Sequence, residues 1–149
     1  MENPHKRNLE FLVIDVARLV RREFDRRVKS MNLTRSQWWV LVNLIRSDGC
    51  NQTQLADDLD VGKVALGSLL DRLEAKGWIE RRPDPNDRRA KRVFLTPAVK
   101  PVIGEMEDRA KAVHLQLTSG MDEEAQKHLV DILLKAKENL HQDDADYAN

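Results

Sequence analysis

From Leu9 the apolar side chains Leu12, Val13, Val16, Leu19, Val20, Phe24, Val28 and Met31 recur at steps of three and four. That spacing keeps one face of a long helix apolar. Asn32 is a suitable stop. A second stripe, Trp38, Trp39, Leu41, Val42 and Ile45, opens behind Thr34, whose hydroxyl suits an N-cap, and ends at Asp48-Gly49. Its apolar density predicts a core element. Asn51, with Gln54 three positions on, resembles a capping box and opens a short helix with Leu55, Ala56 and Leu59 inward. Asp60-Val61-Gly62 then reads as a turn. Residues 63–76 read as the next helix, burying Leu66, Leu69, Leu70 and Leu73 and closed by Gly77, a residue that tolerates left-handed dihedrals.

Beyond Gly77 the pattern changes. Residues 78–82 and 92–95 read as short strands joined by the turn-rich Pro83-Asp84-Pro85-Asn86-Asp87. Thr96-Pro97 is a helix start, with threonine as cap and proline where its missing N–H costs nothing. The stripe Val99, Val102, Ile103, Met106, Ala110, Val113 and Leu117 follows until Ser119-Gly120. Asp122 caps a last helix carrying Leu129, Ile132, Leu133, Ala136 and Leu140, and residues 141–149 read as a frayed acidic tail.

The class this predicts is mainly α with a small β-hairpin. Residues 34–96 form a winged helix-turn-helix lobe, residues 1–33 and 97–141 supply flanking helices, and residues 142–149 form a flexible tail. The stripes at the two ends are longer than a small central lobe can cover. At about 25 cal/mol per Å² of buried apolar surface, they favour association of the chain with a second copy through these flanking helices.

At 149 residues one folding unit is expected. Twenty-five basic residues balance 25 acidic ones, so any case for a polyanionic partner rests on where the charges lie. Basic side chains cluster between Arg18 and Lys29 and again between Arg81 and Arg92, while Asp122, Glu123, Glu124, Asp143, Asp144 and Asp146 make the last part acidic. The single cysteine, Cys50, excludes an intramolecular disulfide framework and reads as a small buried hydrophobe, with no cation nearby to activate it. No apolar run reaches the roughly 20 residues a membrane span needs, and no signal-peptide pattern opens the chain, so a cytoplasmic protein is expected. A phosphate loop, HExxH and a nucleophile elbow are all lacking, so neither catalysis nor a cofactor is expected. Glu124 and His128 stand four apart but lack a third metal ligand and read as surface residues.

A helix offered to the major groove touches base edges with its first turns, and a basic hairpin beside it lays arginine along phosphates or into the minor groove. Residues 52–92 supply both parts in that order. Gln52, Thr53, Lys63, Ser68 and Arg72 are the polar candidates on the helices, Val64 or Ala65 has the chemistry to meet a thymine methyl, and Arg82, Arg88, Arg89 and Lys91 are the candidates on the hairpin. Double-stranded DNA is therefore the leading partner. The bland alternative is a solvated, salt-bridged hairpin.

Residues 73–96, and above all Glu80-Arg81-Arg82-Pro83-Asp84-Pro85-Asn86-Asp87-Arg88-Arg89-Ala90-Lys91-Arg92-Val93-Phe94-Leu95-Thr96, resemble the signature of the MarR family of bacterial transcriptional regulators. The run Asp87-Arg88-Arg89-Ala90-Lys91-Arg92 resembles its SlyA branch. The similarity extends to Leu33-Thr34 and to Ala17-Arg18-Leu19-Val20-Arg21. It implies a homodimer with interlocked terminal helices, binding a roughly palindromic operator through recognition helices about 34 Å apart. It further implies a wing-tip arginine in the minor groove held by an aspartate, which Asp87, Arg88 and Arg89 match. Relatives commonly carry serine, threonine and arginine where this recognition helix has Val64, Ala65, Gly67 and Ser68. That departure shifts recognition toward phosphate and wing contacts.

The resemblance also implies a pocket between the dimer helices and the lobe, where small aromatic acids weaken DNA binding. Arg18, Arg22 and Arg26 share a face of the first helix and repel unless neutralised, with Asp25 placed to pair with Arg21. With Trp38, Trp39 and Val42 they are the candidates for an anionic aromatic effector, a phenolic acid or its acyl-CoA thioester. The expected function is a ligand-relieved repressor. The alternative is a dimeric ligand-binding or interaction module without sequence-specific DNA readout.

Overall fold

The computed structural model describes residues 7–146, and their side chains as far as residue 141. It contains α1 (Leu9–Val28), a 3-10 turn (Lys29–Met31), α2 (Arg35–Arg46), β1 (Cys50–Asn51), α3 (Gln52–Leu59) and α4 (Lys63–Ala75). Then follow β2 (Ile79–Pro83), β3 (Lys91–Leu95), a second 3-10 turn (Pro97–Val99), α5 (Lys100–Leu117) and α6 (Glu123–Asp146). The chain divides into two compact units, the first ending at Val113 and the second starting at His114.

In the first unit one apolar cluster joins Phe24 and Val28 of α1 to Trp38, Leu41 and Leu44 of α2, Leu55 of α3, Leu66, Leu70 and Leu73 of α4, and Ile79 and Val93 of the sheet. The local stops are those the side chains favour. Asn32 (φ 54°) and Asp60 (φ 53°) take the left-handed conformation that short polar side chains tolerate. Thr34 and Gln37 close a full capping box at the start of α2. Gly77 ends α4 at φ 72°.

The sheet has three antiparallel strands in the order β1-β3-β2, with Cys50 opposite Val93 and Arg81 opposite Val93 on the other side. The sequence reading has only the two hairpin strands. The third is a two-residue strand, too short for any periodicity, and it exists because of Gly49. There φ is 77°, and an added Cβ would stand 2.5 Å from the Phe94 ring. Gly49 N–H donates to the Val93 carbonyl at 2.9 Å, and Asp48 Oδ1 accepts from the Leu95 N–H at 2.8 Å.

Three helix ends differ from expectation. Asn51 caps α3 by accepting from Thr53 N–H, but Gln54 makes no reciprocal bond and instead donates to Asp58 at 2.8 Å, so the capping box is half formed. Thr96 makes no side-chain cap; its hydroxyl donates to the Gly77 carbonyl, tying β3 to the end of α4, and Pro97 opens a 3-10 turn before α5. In the second unit Gly120 (φ 80°) turns the chain and Asp122 Oδ1 accepts from Ala125 N–H at 2.8 Å, as the sequence suggested. There α6 runs on to Asp146 where the sequence reading frays from residue 141; the last three residues of that tail, 147–149, lie outside the described residues. No described helix is long and apolar enough to cross a membrane.

Candidate nucleic-acid interface

The turn between α3 and α4 is set by backbone. Asp60 N–H bonds back to Ala56 and Asp57 carbonyls and Val61 N–H to Ala56 O at 3.0 Å, so α4 leaves at a fixed angle. Its N-cap is Gly62, which offers no side-chain acceptor. The first N–H groups of α4 therefore face outward with the positive end of the helix dipole, beside exposed Lys63. Leu66, Leu70 and Leu73 bury one face, which leaves Val64 and Ser68 on the opposite, exposed one.

The hairpin is bolted to α4 by Arg81. Its backbone N–H and guanidinium donate to Glu74 (3.1, 3.2 and 2.6 Å), and the guanidinium also meets Asp71 at 2.5 Å. The hydrogen bonds from Arg81 hold the Glu74 carboxyl below its ordinary range, and Glu74 correspondingly raises Arg81. The tip is folded by two aspartates. Buried Asp84 accepts from Asn86 N–H (2.8 Å) and from Arg92 Nε (2.7 Å), and its own N–H donates to the Ala90 carbonyl. The Asn86 N–H first, and then Arg92, lower its pKa. Asp87 accepts from the Arg89 backbone N–H at 2.9 Å and so orients the arginine's backbone, with its side chain left outward.

The six hairpin cations thus divide. Arg81 and Arg92 are structural, and Arg82 pairs with Glu80 while its guanidinium lies 4.6 Å over the Phe94 ring. All three are thus ion-paired in the free chain. Arg88, Arg89 and Lys91 are exposed and have no ion pair among the described residues. Arg89 and Lys91 converge with Gln52 and Thr53 of α3, Lys63 of α4 and Arg81 on one cleft of about 260 Å³. The elements expected to carry recognition therefore share one cationic concavity. Ala65, Ser68 and Arg72 line a different cavity.

That second cavity, about 510 Å³, lies between α1, α2 and α4 and holds Arg21, Arg35, Trp39, Leu69 and Arg72. The effector candidates fare unevenly against it. Trp39 faces the cavity. Trp38 is 4% exposed, packs edge-on against Phe24 and Trp39, and donates Nε1–H to Asp25 at 2.7 Å; it is a core residue. Val42 packs against the core and does not line the cavity. Arg18, Arg22 and Arg26 lie outside it, and two of the three are neutralised, Arg18 by Asp15 and Arg26 by Glu23. Asp25 does not pair with Arg21 as i,i+4 spacing suggests. It takes Arg35 of α2 (Nε 2.7 Å) together with Trp38, and the hydrogen bond raises the Arg35 pKa. The cations on the cavity are therefore Arg21, Arg35 and Arg72, of which only Arg72 is a site candidate from the sequence, and for DNA. A partner ten residues away leaves no periodic signal.

Burial chiefly, then Asp58, pushes the Cys50 thiol up, the opposite of activation. Glu124 and His128 line a shallow depression at the start of α6 with Asp122 and Asp131, and no group of metal-ligating side chains large enough to hold an ion occurs among the described residues.

A family model described as MarR family matches residues 31–90, which contain α2, the helix-turn-helix and the first half of the wing. Among solved structures, the transcriptional regulator PA3341 is 34% identical over 91% of this chain and 99% of its own, with a TM-score of 0.80. Wild-type apo MarR from E. coli is 28% identical over 87% of this chain and 96% of its own, with a TM-score of 0.75. A mutant of E. coli MarR complexed with operator DNA is 28% identical over 86% and 92%, with a TM-score of 0.71. With its helix-turn-helix, its arginine-bolted wing and a relative matched over nearly its whole length, the chain belongs to the MarR family of transcriptional regulators.

Proposed function

We propose that this chain is a cytoplasmic, homodimeric repressor of the SlyA-like branch that binds a pseudo-palindromic operator and is released by a small anionic aromatic ligand. The observation that carries the DNA reading is the convergence of Lys63, Arg89 and Lys91, all without an ion pair among the described residues, on one cleft with Gln52 and Thr53. Cations without carboxylate partners gain most from phosphate, by releasing the counterions condensed on DNA. The operator complex of the E. coli relative supports the same use of the fold.

The dimer rests on apolar side chains that the chain itself leaves exposed, Leu9, Phe11 and Ile14 on α1 and Val130, Leu134 and Leu140 on α6. A second copy is the partner that covers them. For the effector, Arg21 and Arg72, which have no ion pair among the described residues, offer a carboxylate a charged anchor, and Trp39 beside them offers an aromatic ring a wall.

Binding of the purified protein to a duplex recovered by footprinting, followed by fluorescence anisotropy across salt, tests the reading. A steep salt slope with residual preference for the recovered sequence is expected. Phenolic acids and their thioesters titrated into that complex should lower affinity in the native protein and do so less in Arg21→Ala. The sparse polar face of α4 favours a second reading, an interaction module, for which the salt slope would be shallow and without sequence preference.

A further inference from the structure

Two residues of α4 are unexplained by the folding of this chain. Val64 is 87% exposed, more than any other large apolar side chain among the described residues, and a β-branched side chain there neither packs nor favours the helix. Gly67, one turn on, lies in mid-helix, where glycine weakens the element. Its φ is not positive, and an added Cβ would meet nothing within 4 Å. Neither a turn nor a close neighbour in the free protein requires glycine there.

The two positions are three apart and so adjoin on one face of α4. Lys63 borders that face and belongs to the cleft with Arg89 and Lys91. Charge complementarity therefore makes duplex DNA the occupant. The apolar group on a base edge in the major groove is the thymine 5-methyl, and glycine is the residue that lets backbone come close to a ligand.

We propose that Val64 reads a thymine methyl in the major groove and that Gly67 lets α4 seat deeply enough to reach it. This rests on the DNA-binding reading above and adds which base is recognised and how. It turns the loss of polar side chains on this helix into a specificity of its own, because a methyl group distinguishes thymine from every other base.

The test uses the full-length protein. Duplexes are enriched from a random pool, and each thymine of the recovered site is then replaced by deoxyuridine, which removes only the methyl. One thymine per half-site should lose roughly fourfold in affinity on replacement, the worth of one buried methyl group. Val64→Ala should bind the thymine and deoxyuridine duplexes equally. Gly67→Ala, which has room for its methyl in the free protein, should raise the Tm and lower duplex affinity at least tenfold. Indifference to deoxyuridine at every position, a loss that persists in Val64→Ala, or undiminished binding by Gly67→Ala overturns the proposal while the enriched duplex remains bound. A pool that yields no enriched duplex overturns the DNA-binding reading with it.

Discussion

Arg88 and Arg89 stand at the wing tip without a carboxylate partner among the described residues, whereas Arg81, eight residues before Arg89, is held by two. Identical side chains therefore have opposite consequences on removal. Arg88→Ala or Arg89→Ala should leave stability within about 0.5 kcal/mol, because exposed side chains away from a network contribute little. Each should weaken operator binding and reduce the salt slope by about 1, the mark of a lost phosphate contact. Thermal unfolding together with anisotropy at several salt concentrations checks both halves. Leu70→Ala runs the other way, costing about 2–5 kcal/mol of stability because its side chain is fully buried between α4 and the core. Urea titration measures that cost. Gly49→Ala should also destabilise, since its methyl meets Phe94 at 2.5 Å on a backbone already at φ 77°. At this scale the sequence told which residues are cationic but not which are already paired. Asp25 choosing Arg35 and Trp38 over Arg21 is a decision made by tertiary packing, and so is the division of the hairpin arginines.

Two carboxyls, Glu74 and Asp84, tie the stability of the wing to proton concentration. Glu74 and Asp84 both have pKa values below their ordinary 4.5 and 3.8, through Arg81 for the first and through Asn86 N–H and Arg92 for the second. A carboxyl whose folded pKa is lowered stabilises the fold above its unfolded value, and that contribution is lost as pH falls through the folded one. Acidification below about pH 4.5 should therefore loosen the hairpin, since the unfolded state binds protons first in that window. Trp78, at the start of the hairpin with Lys76 Nζ 4.4 Å above its ring, gives a fluorescence signal for this. Urea midpoints measured from pH 6 down to pH 3 should fall, and Arg81→Ala should flatten the Glu74 part of that slope. Elements with many periodic residues, such as α1, α2 and α4, were legible from spacing alone. Those made by one or two bonds were not. β1 depends on the Gly49 backbone and an Asp48 carboxylate reaching Leu95, and Thr96 spends its hydroxyl on the Gly77 carbonyl, contacts that no local pattern encodes.

At the scale of the whole molecule the formal charge is zero, so no overall attraction draws it to DNA, and on the proposed reading recognition comes from the local cluster of Lys63, Arg88, Arg89 and Lys91. A single cluster of that size gives modest, salt-sensitive binding; two, fixed about one turn of B-DNA apart, give avidity without any new contact. On the proposed dimeric reading, association is the step that makes the cleft useful, and the exposed apolar side chains of α1 and α6 are where it would be lost. Ile14 is 60% exposed and Leu140 is 72% exposed in the single chain. In a monomer, Ile14→Glu and Leu140→Glu would be close to neutral, since such positions are already in water. In a dimer that covers them, each should shift the protein to half its mass in sedimentation and lower the Tm. The native protein should melt higher as its concentration rises, because association stabilises only the folded state. A Tm independent of concentration, with both variants as stable as the parent, would leave those apolar faces without a second copy and the operator with only one cationic cleft to hold it.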